Sequence, residues 1–138
     1  MKKVAIVYWS GTGNTEEMAN SIEAGVKANG GEPSIIQCSS FNADMISEYD
    51  AFAFGCPACD DEGLDDTEFL PMWKTVREKL GDKPVIMFGS YGWGGGEWLE
   101  VWKSNNPDLN VVDSFACLED PDDEAKGKCE ALGAKLAK

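Results

Sequence analysis

Short apolar runs alternate along this chain with longer segments whose apolar residues recur at helical spacing. The run Val4-Ala5-Ile6-Val7-Tyr8 carries no polar interruption, which suits a strand buried on both faces. Directly after it, Met18, Ala19, Ile22 and Val26 fall on one side of a helix. The pattern predicts strands near residues 3 to 8, 34 to 38, 51 to 55, 84 to 89 and 110 to 115. Between and after them it predicts helices near 15 to 29, 43 to 48, 67 to 80, 97 to 105 and 122 to 137. Asn14 with Glu17 reads as a capping pair for the first helix, Asn29-Gly30-Gly31 as its end, and the last helix gathers Ala125, Cys129, Leu132 and Leu136 on one face. Strand and helix in alternation imply an α/β fold, a three-layer, doubly wound, five-stranded parallel sheet. The expected strand order is 2-1-3-4-5, in a single domain over residues 1–138 without linker or repeat.

With the first strand central, ligands sit beyond the strand C-termini where the winding reverses. The loops expected to converge there are 9 to 15, 56 to 66 and 90 to 96. The first reads Ser10-Gly11-Thr12-Gly13-Asn14-Thr15, two glycines and three hydroxyls between a buried strand and a helix N-terminus. Backbone amides and the positive end of a helix dipole favour an anion at such a place. The chain has no Gly-x-x-x-x-Gly-Lys-Ser/Thr here to reach nucleotide β/γ phosphates and no Gly-x-Gly-x-x-Gly to pass a pyrophosphate. A hydroxyl-rich cradle without a cation suits one terminal phosphate monoester. The second loop, Cys56-Pro57-Ala58-Cys59-Asp60-Asp61-Glu62-Gly63, is acidic and has no basic residue. The third, Ser90-Tyr91-Gly92-Trp93-Gly94-Gly95-Gly96, sets an aromatic among glycines, which favours a stacking plate over plain packing for Trp93. Trp98 and Trp102, at helical spacing, read as core. An aromatic cofactor with a single phosphate tail is the economical ligand, and flavin mononucleotide (FMN) fits.

Charge and cysteine usage narrow the functional classes. The 138 residues carry a net charge of −13 and no histidine, which excludes histidine-based acid/base catalysis, histidine metal sites and serine-protease-type triads. So acidic a surface repels nucleic acid and anionic membranes and favours partners with a basic patch. No apolar run approaches a membrane span, and Met1-Lys2-Lys3 leads straight into a strand, so a cytoplasmic protein is expected. Five scattered cysteines do not form a disulfide framework, and Cys56-Pro57-Ala58-Cys59 has no second close pair for zinc or iron–sulfur. No catalytic residue and no metal ligand is expected.

The segment Ile6-Val7-Tyr8-Trp9-Ser10-Gly11-Thr12-Gly13-Asn14-Thr15, with Ala19 and Ile22, resembles the flavodoxin phosphate-loop signature. Phe88-Gly89-Ser90-Tyr91-Gly92-Trp93-Gly94 resembles the second flavin loop of short-chain flavodoxins of the clostridial type. The resemblance covers essentially the whole chain, including Pro121-Asp122, and flavodoxin is itself a standard instance of the switch-point rule used above. It implies that Ser10, Thr12, Asn14 and Thr15, with the amides of Gly11 and Gly13, hold the FMN phosphate. It places Trp93 on the outer face of the isoalloxazine ring, amides near Gly92 and Trp93 on the pyrimidine O2, and Glu62 on the ring N3–H. Residue 59 would pack on the inner face, and the carbonyl of residue 60 would turn toward N5 on one-electron reduction. Pro57, Ala58, Asp61, Ser90, Tyr91 and Gly94 complete the implied cofactor contacts. Where clostridial-type relatives commonly read Met-Gly, this chain reads Cys59-Asp60, a smaller and less polarisable cover beside a residue that adopts positive φ less cheaply than glycine.

The implied function is a low-potential one-electron carrier, shuttling between neutral semiquinone and anionic hydroquinone and substituting for ferredoxin. It would be a monomer that docks redox proteins with basic patches and turns over no substrate of its own. Three rivals share features of the chain. A thiol–disulfide oxidoreductase would use Cys56 and Cys59, but the following Asp60, Asp61 and Glu62 raise a thiol pKa. A phosphoacceptor receiver needs acidic residues where this chain has Tyr8-Trp9-Ser10 and Gly55-Cys56. A small FMN-dependent quinone or NAD(P)H reductase needs substrate room that the short chain and a Trp93 lid argue against.

Overall fold

The computed structural model describes residues 2–9, 13–57, 65, 67–91 and 96–137. Five strands, β1 (Lys3–Tyr8), β2 (Glu32–Gln37), β3 (Ala51–Gly55), β4 (Val85–Tyr91) and β5 (Val111–Leu118), form one sheet. Its order is β2-β1-β3-β4-β5 and every pairing is parallel, as the alternating pattern predicts. Ile6 sits between Ile35 of β2 and Ala53 of β3, and Phe54 pairs with Met87.

The helices are α1 (Asn14–Ala28), α2 (Phe69–Val76), α3 (Glu97–Ser104) and α4 (Asp123–Ala137). Successive strand residues point to opposite faces, so the three central strands feed two cores. Val4, Ile6, Ala53, Ile86 and Phe88 join Met18, Ile22 and Val26 of α1 and Cys129, Leu132 and Leu136 of α4. Ala5, Val7, Phe52, Phe54, Val85 and Met87 join Phe69 and Trp73 of α2 and Trp98 and Trp102 of α3. Trp98 and Trp102 are each only 3% exposed, which settles them as core. All five strands therefore lie in a layer between two pairs of helices.

Local departures from the predicted elements have identifiable causes. Residues 43–48 form a 3-10 segment rather than an α-helix, opened by the Asn42 side chain accepting from the Asp44 amide at 2.9 Å. Six residues are too few to pay for helix nucleation, and buried Phe41 and Ile46 pin the segment to the core instead. The second strand begins at Glu32, two residues early, because an edge strand tolerates Pro33. β4 and β5 run on to Tyr91 and Leu118, so Ser90 and Tyr91 are strand residues rather than loop. The expected Asn14/Glu17 capping pair is not formed: Asn14 is already the first helical residue, and the N-cap is Gly13 at φ 96°. The predicted end of α1 is as read, with the amides of Gly30 and Gly31 donating to Lys27 and Val26 carbonyls at 3.2 and 2.9 Å.

Candidate functional site

The C-terminal ends of β1, β3 and β4, the three adjacent strands at the middle of the sheet, bring the predicted loops to one edge. Main-chain bonds continue past the strand ends: the Trp9 amide donates to Gly55 O at 3.0 Å and the Cys56 amide to Phe88 O at 3.1 Å. Each loop thus starts from a base fixed to its neighbour's strand.

Of the sequence-predicted cofactor residues, Gly13, Asn14, Thr15, Pro57, Ser90 and Tyr91 are described. Ser10, Gly11, Thr12, Ala58, Cys59, Asp60, Asp61, Glu62, Gly92, Trp93 and Gly94 lie outside the described residues. The first intrahelical bond of α1 runs from the Glu17 amide to Gly13 O at 3.0 Å, so the helix ladder itself leaves the amides of Asn14, Thr15 and Glu16. Gly13 has no side chain to accept from them, and its positive φ is one that L side chains rarely adopt. Thr15 is fully buried, and its hydroxyl lies 3.2 Å from that of Ser90, 75 residues away. This bond joins the start of α1 to the end of β4. The three loops contain no lysine or arginine. A helix N-terminus with amides facing out of the ladder, buried hydroxyls and no cation is the donor set that a phosphate monoester needs, so these residues fit FMN.

Tyr91 is used within the fold: its ring packs on Trp98 with centroids 5.6 Å apart, and its carbonyl accepts from the Glu119 amide at 2.8 Å. Trp98 in turn donates its indole N–H to the Cys56 carbonyl at 3.3 Å. Gly89 is required beside that carbonyl, since a Cβ there would come within 2.2 Å of it.

Asp65 is a site-adjacent residue that the local pattern did not single out. Its carboxylate accepts from the amides of Glu68 and Phe69 at 2.7 and 2.9 Å and from the Thr67 hydroxyl at 2.9 Å, closing the turn that leads into α2. Burial raises the Asp65 pKa, but the Phe69 and Glu68 amides and the Thr67 hydroxyl outweigh it and hold the carboxyl below its ordinary value. The signal was available as Asp65-x-x-Glu68 before the apolar Phe69-Leu70, a capping pattern. Its amide donates to the sulfur of buried Cys56 at 3.4 Å.

Beside β1, a polar cleft of about 130 Å³ is lined by Tyr8, Trp9, Glu16, Gln37, Cys38, Ser39 and Glu68. Tyr8 donates to Glu16 at 3.2 Å and the Trp9 indole to Glu68 at 3.4 Å, so both carboxylates are held by aromatic donors. Burial, reinforced by Glu68 and Asp65, pushes the Cys38 thiol up to about 11. Burial likewise pushes Cys129 up to about 12 and raises Cys117. Such thiols are protonated and inert at neutral pH. Cys56 is 0% exposed, which also opposes a thiol–disulfide role for the Cys56/Cys59 pair.

The Flavodoxin family model matches residues 6–106. The chain is 43% identical over 137 residues to the flavodoxin of Megasphaera elsdenii, covering 98% of both chains. It is 39% identical over 134 residues to the flavodoxin of Clostridium beijerinckii, covering 96% of this chain and 97% of that one. The solution structure of two-electron reduced Megasphaera elsdenii flavodoxin superposes with a TM-score of 0.89 at 42% identity, over 97% of this chain and 98% of the other.

Proposed function

The chain belongs to the flavodoxin family of FMN-binding electron carriers, and from that premise we propose that it is a low-potential, one-electron shuttle working between the neutral semiquinone and the anionic hydroquinone. The observation that carries the reading is the convergence, at the end of the central strands, of an N-terminus capped by Gly13 with the buried Thr15–Ser90 hydroxyl pair, in loops without a cation. When bound, FMN supplies a ring that takes up two electrons in separate steps.

The residues divide the work between holding and tuning. Ser10, Thr12, Asn14 and Thr15, with the amides of Gly11 and Gly13, would hold the phosphate through neutral donors. Trp93 would cover the outer ring face and exclude water, while Cys59 would cover the inner face. Glu62 would accept a hydrogen bond from N3–H, the amides of Gly92 and Trp93 would donate to O2, and the carbonyl of residue 60 would accept a hydrogen bond from N5–H. Asp60, Asp61 and Glu62 would oppose a second negative charge. A carboxylate ~10 Å away, in an effective dielectric of ~40 to 80, contributes roughly 0.4 to 0.8 kcal/mol before screening. Several together lower the second potential appreciably, since a tenfold change in a one-electron equilibrium is about 59 mV.

With 25 acidic against 12 basic residues, the surface favours redox partners that present a basic patch, as ferredoxin- or flavodoxin-linked oxidoreductases would. The protein then serves in place of ferredoxin, as a cytoplasmic monomer without substrate turnover of its own. Anaerobic dithionite titration of the FMN-loaded protein, followed by visible absorbance, tests the shuttle. A long-wavelength band that rises and then falls is expected. Direct conversion to the fully reduced form, or rapid NAD(P)H oxidation by the holoprotein alone, would overturn it.

A further inference from the structure

Tyr8 and Gln37, the last residues of the paired strands β1 and β2, stand side by side at the sheet edge from which α1 departs. Tyr8 is 6% exposed, with its ring in the core against α1 and α4, and its hydroxyl donates to the Glu16 carboxylate at 3.2 Å. Gln37 gives the same phenol oxygen a second side-chain hydrogen bond. Burial raises the Tyr8 pKa above its ordinary value, so at neutral pH the hydroxyl keeps its proton and remains a donor to the carboxylate. Packing accounts for the ring of Tyr8 but not for the hydroxyl, since a phenylalanine would fill the same space.

Glu16 is the third residue of α1, the position from which a glutamate side chain folds back over a helix N-terminus. Here its carboxylate is directed at Tyr8 instead. The difference matters because the helix ladder leaves the amides of Asn14, Thr15 and Glu16, and the positive end of the helix dipole attracts any anion within reach, the protein's own carboxylate included. Gly13 has no side chain to compete for those amides, and Asn14 and Thr15 carry no charge. Glu17, the other acid of the first turn, lies one position further into the helix, with its amide already donating to Gly13 O at 3.0 Å. In this turn the acid placed to fold back is therefore Glu16. A carboxylate lying there would occupy the donors and set a negative charge against an incoming phosphate.

We infer that Tyr8 is a positioning residue for the phosphate site: by holding the Glu16 carboxylate in the cleft beside β1, its hydroxyl keeps the α1 N-terminus open to the phosphate of FMN. This role rests on the functional reading above, in which that N-terminus takes the phosphate. It concerns the discrimination between a phosphorylated and an unphosphorylated flavin, because only the former brings an anion to the amides that Glu16 would otherwise cover.

The test titrates the full-length chain with FMN and with riboflavin, which lacks the phosphate, and follows quenching of flavin fluorescence in the wild type and in Tyr8→Phe, Glu16→Asp and the double variant Tyr8→Phe/Glu16→Ala. Tyr8→Phe is expected to weaken FMN about three- to tenfold, the scale of one charge at a helix N-terminus, and riboflavin less than about twofold. Glu16→Asp keeps the charge but draws it back from Tyr8 by one methylene, and is expected to weaken FMN in the same way. The double variant, in which no carboxylate is left to fold back, is expected to bind FMN within about twofold of the wild type. Unchanged FMN affinity in Tyr8→Phe, an equal loss for riboflavin, or a loss that the double variant fails to recover would each overturn the inference. Wild-type protein that binds FMN no more tightly than riboflavin would overturn the functional reading and this role with it, a result distinct from a normal wild type beside an unaffected variant.

Discussion

Asp65 and the Thr15–Ser90 pair are single-residue features whose energetics can be stated with a sign. The Asp65 carboxyl is held below its unfolded value of about 3.9, so between the two values the unfolded chain binds a proton that the folded one does not. Its contribution is therefore fully present above about pH 4 and is lost as pH falls through the lower, folded pKa. Replacing Asp65 with Asn should cost about 1 to 2 kcal/mol at pH 7, the worth of charge-assisted bonds to two amides and a hydroxyl, and less at pH 3. Urea midpoints of both proteins at the two pH values check this; an equal loss at both would refute it. The hydroxyls of Thr15 and Ser90 are buried and 3.2 Å apart, so removing one leaves the other without that partner. Thr15→Val and Ser90→Ala should each destabilise by about 1 to 3 kcal/mol, while the double variant loses less than their sum. A strictly additive double-mutant cycle would show that the hydroxyls do not act as a pair. The Thr15–Ser90 contact was not legible locally, since a bond across 75 residues leaves no trace in spacing, although each residue was nameable from its loop.

Helix α1 packs on α4 through backbone as much as side chains. A Cβ at Gly133 would lie 2.2 Å from the Ile22 carbonyl oxygen, and one at Gly25 would lie 2.0 Å from that of Glu130. Main chain cannot swing aside, so Gly133→Ala must push the helices apart and open the core between Ile22, Val26, Leu132 and Leu136. A loss of about 1 to 3 kcal/mol, the usual cost of overpacking, should appear as a lower melting temperature. By contrast, the exposed Lys135–Asp113 bridge at 2.7 Å is a weak surface pair, and Lys135→Ala should cost at most about 1 kcal/mol. The buried strands and both long helices were readable because their apolar periods are long and uniform. The 43–48 segment was not, because its Ala43, Met45 and Ile46 mimic a helical period over a stretch too short to hold one. Edge strands β2 and β5 were placed with displaced ends for a related reason: half-exposed positions blur the apolar run, and only pairing to the neighbouring strand fixes where they stop.

At the scale of the whole molecule, a parallel sheet with β1, β3 and β4 at its middle brings the ends of three strands to one edge, in a chain whose net charge is −13. Association with a basic redox protein should therefore slow as ionic strength rises, most steeply while the Debye length shrinks from ~30 to ~10 Å. Stopped-flow oxidation of the reduced protein by a basic haem protein measures this, and a salt-independent rate would argue against charge steering. The loop sequences carried enough chemistry to point to FMN, because hydroxyls, glycines and a tryptophan set among glycines are local signals. The Tyr8–Glu16 contact was invisible to that reading, since it joins the end of β1 to the first turn of α1. The measurement that most directly tests the central claim is the midpoint potential of the second one-electron step in the FMN-loaded protein. A value well below that of free FMN at the same pH is predicted from the anionic surroundings. A value well above it would contradict the low-potential shuttle.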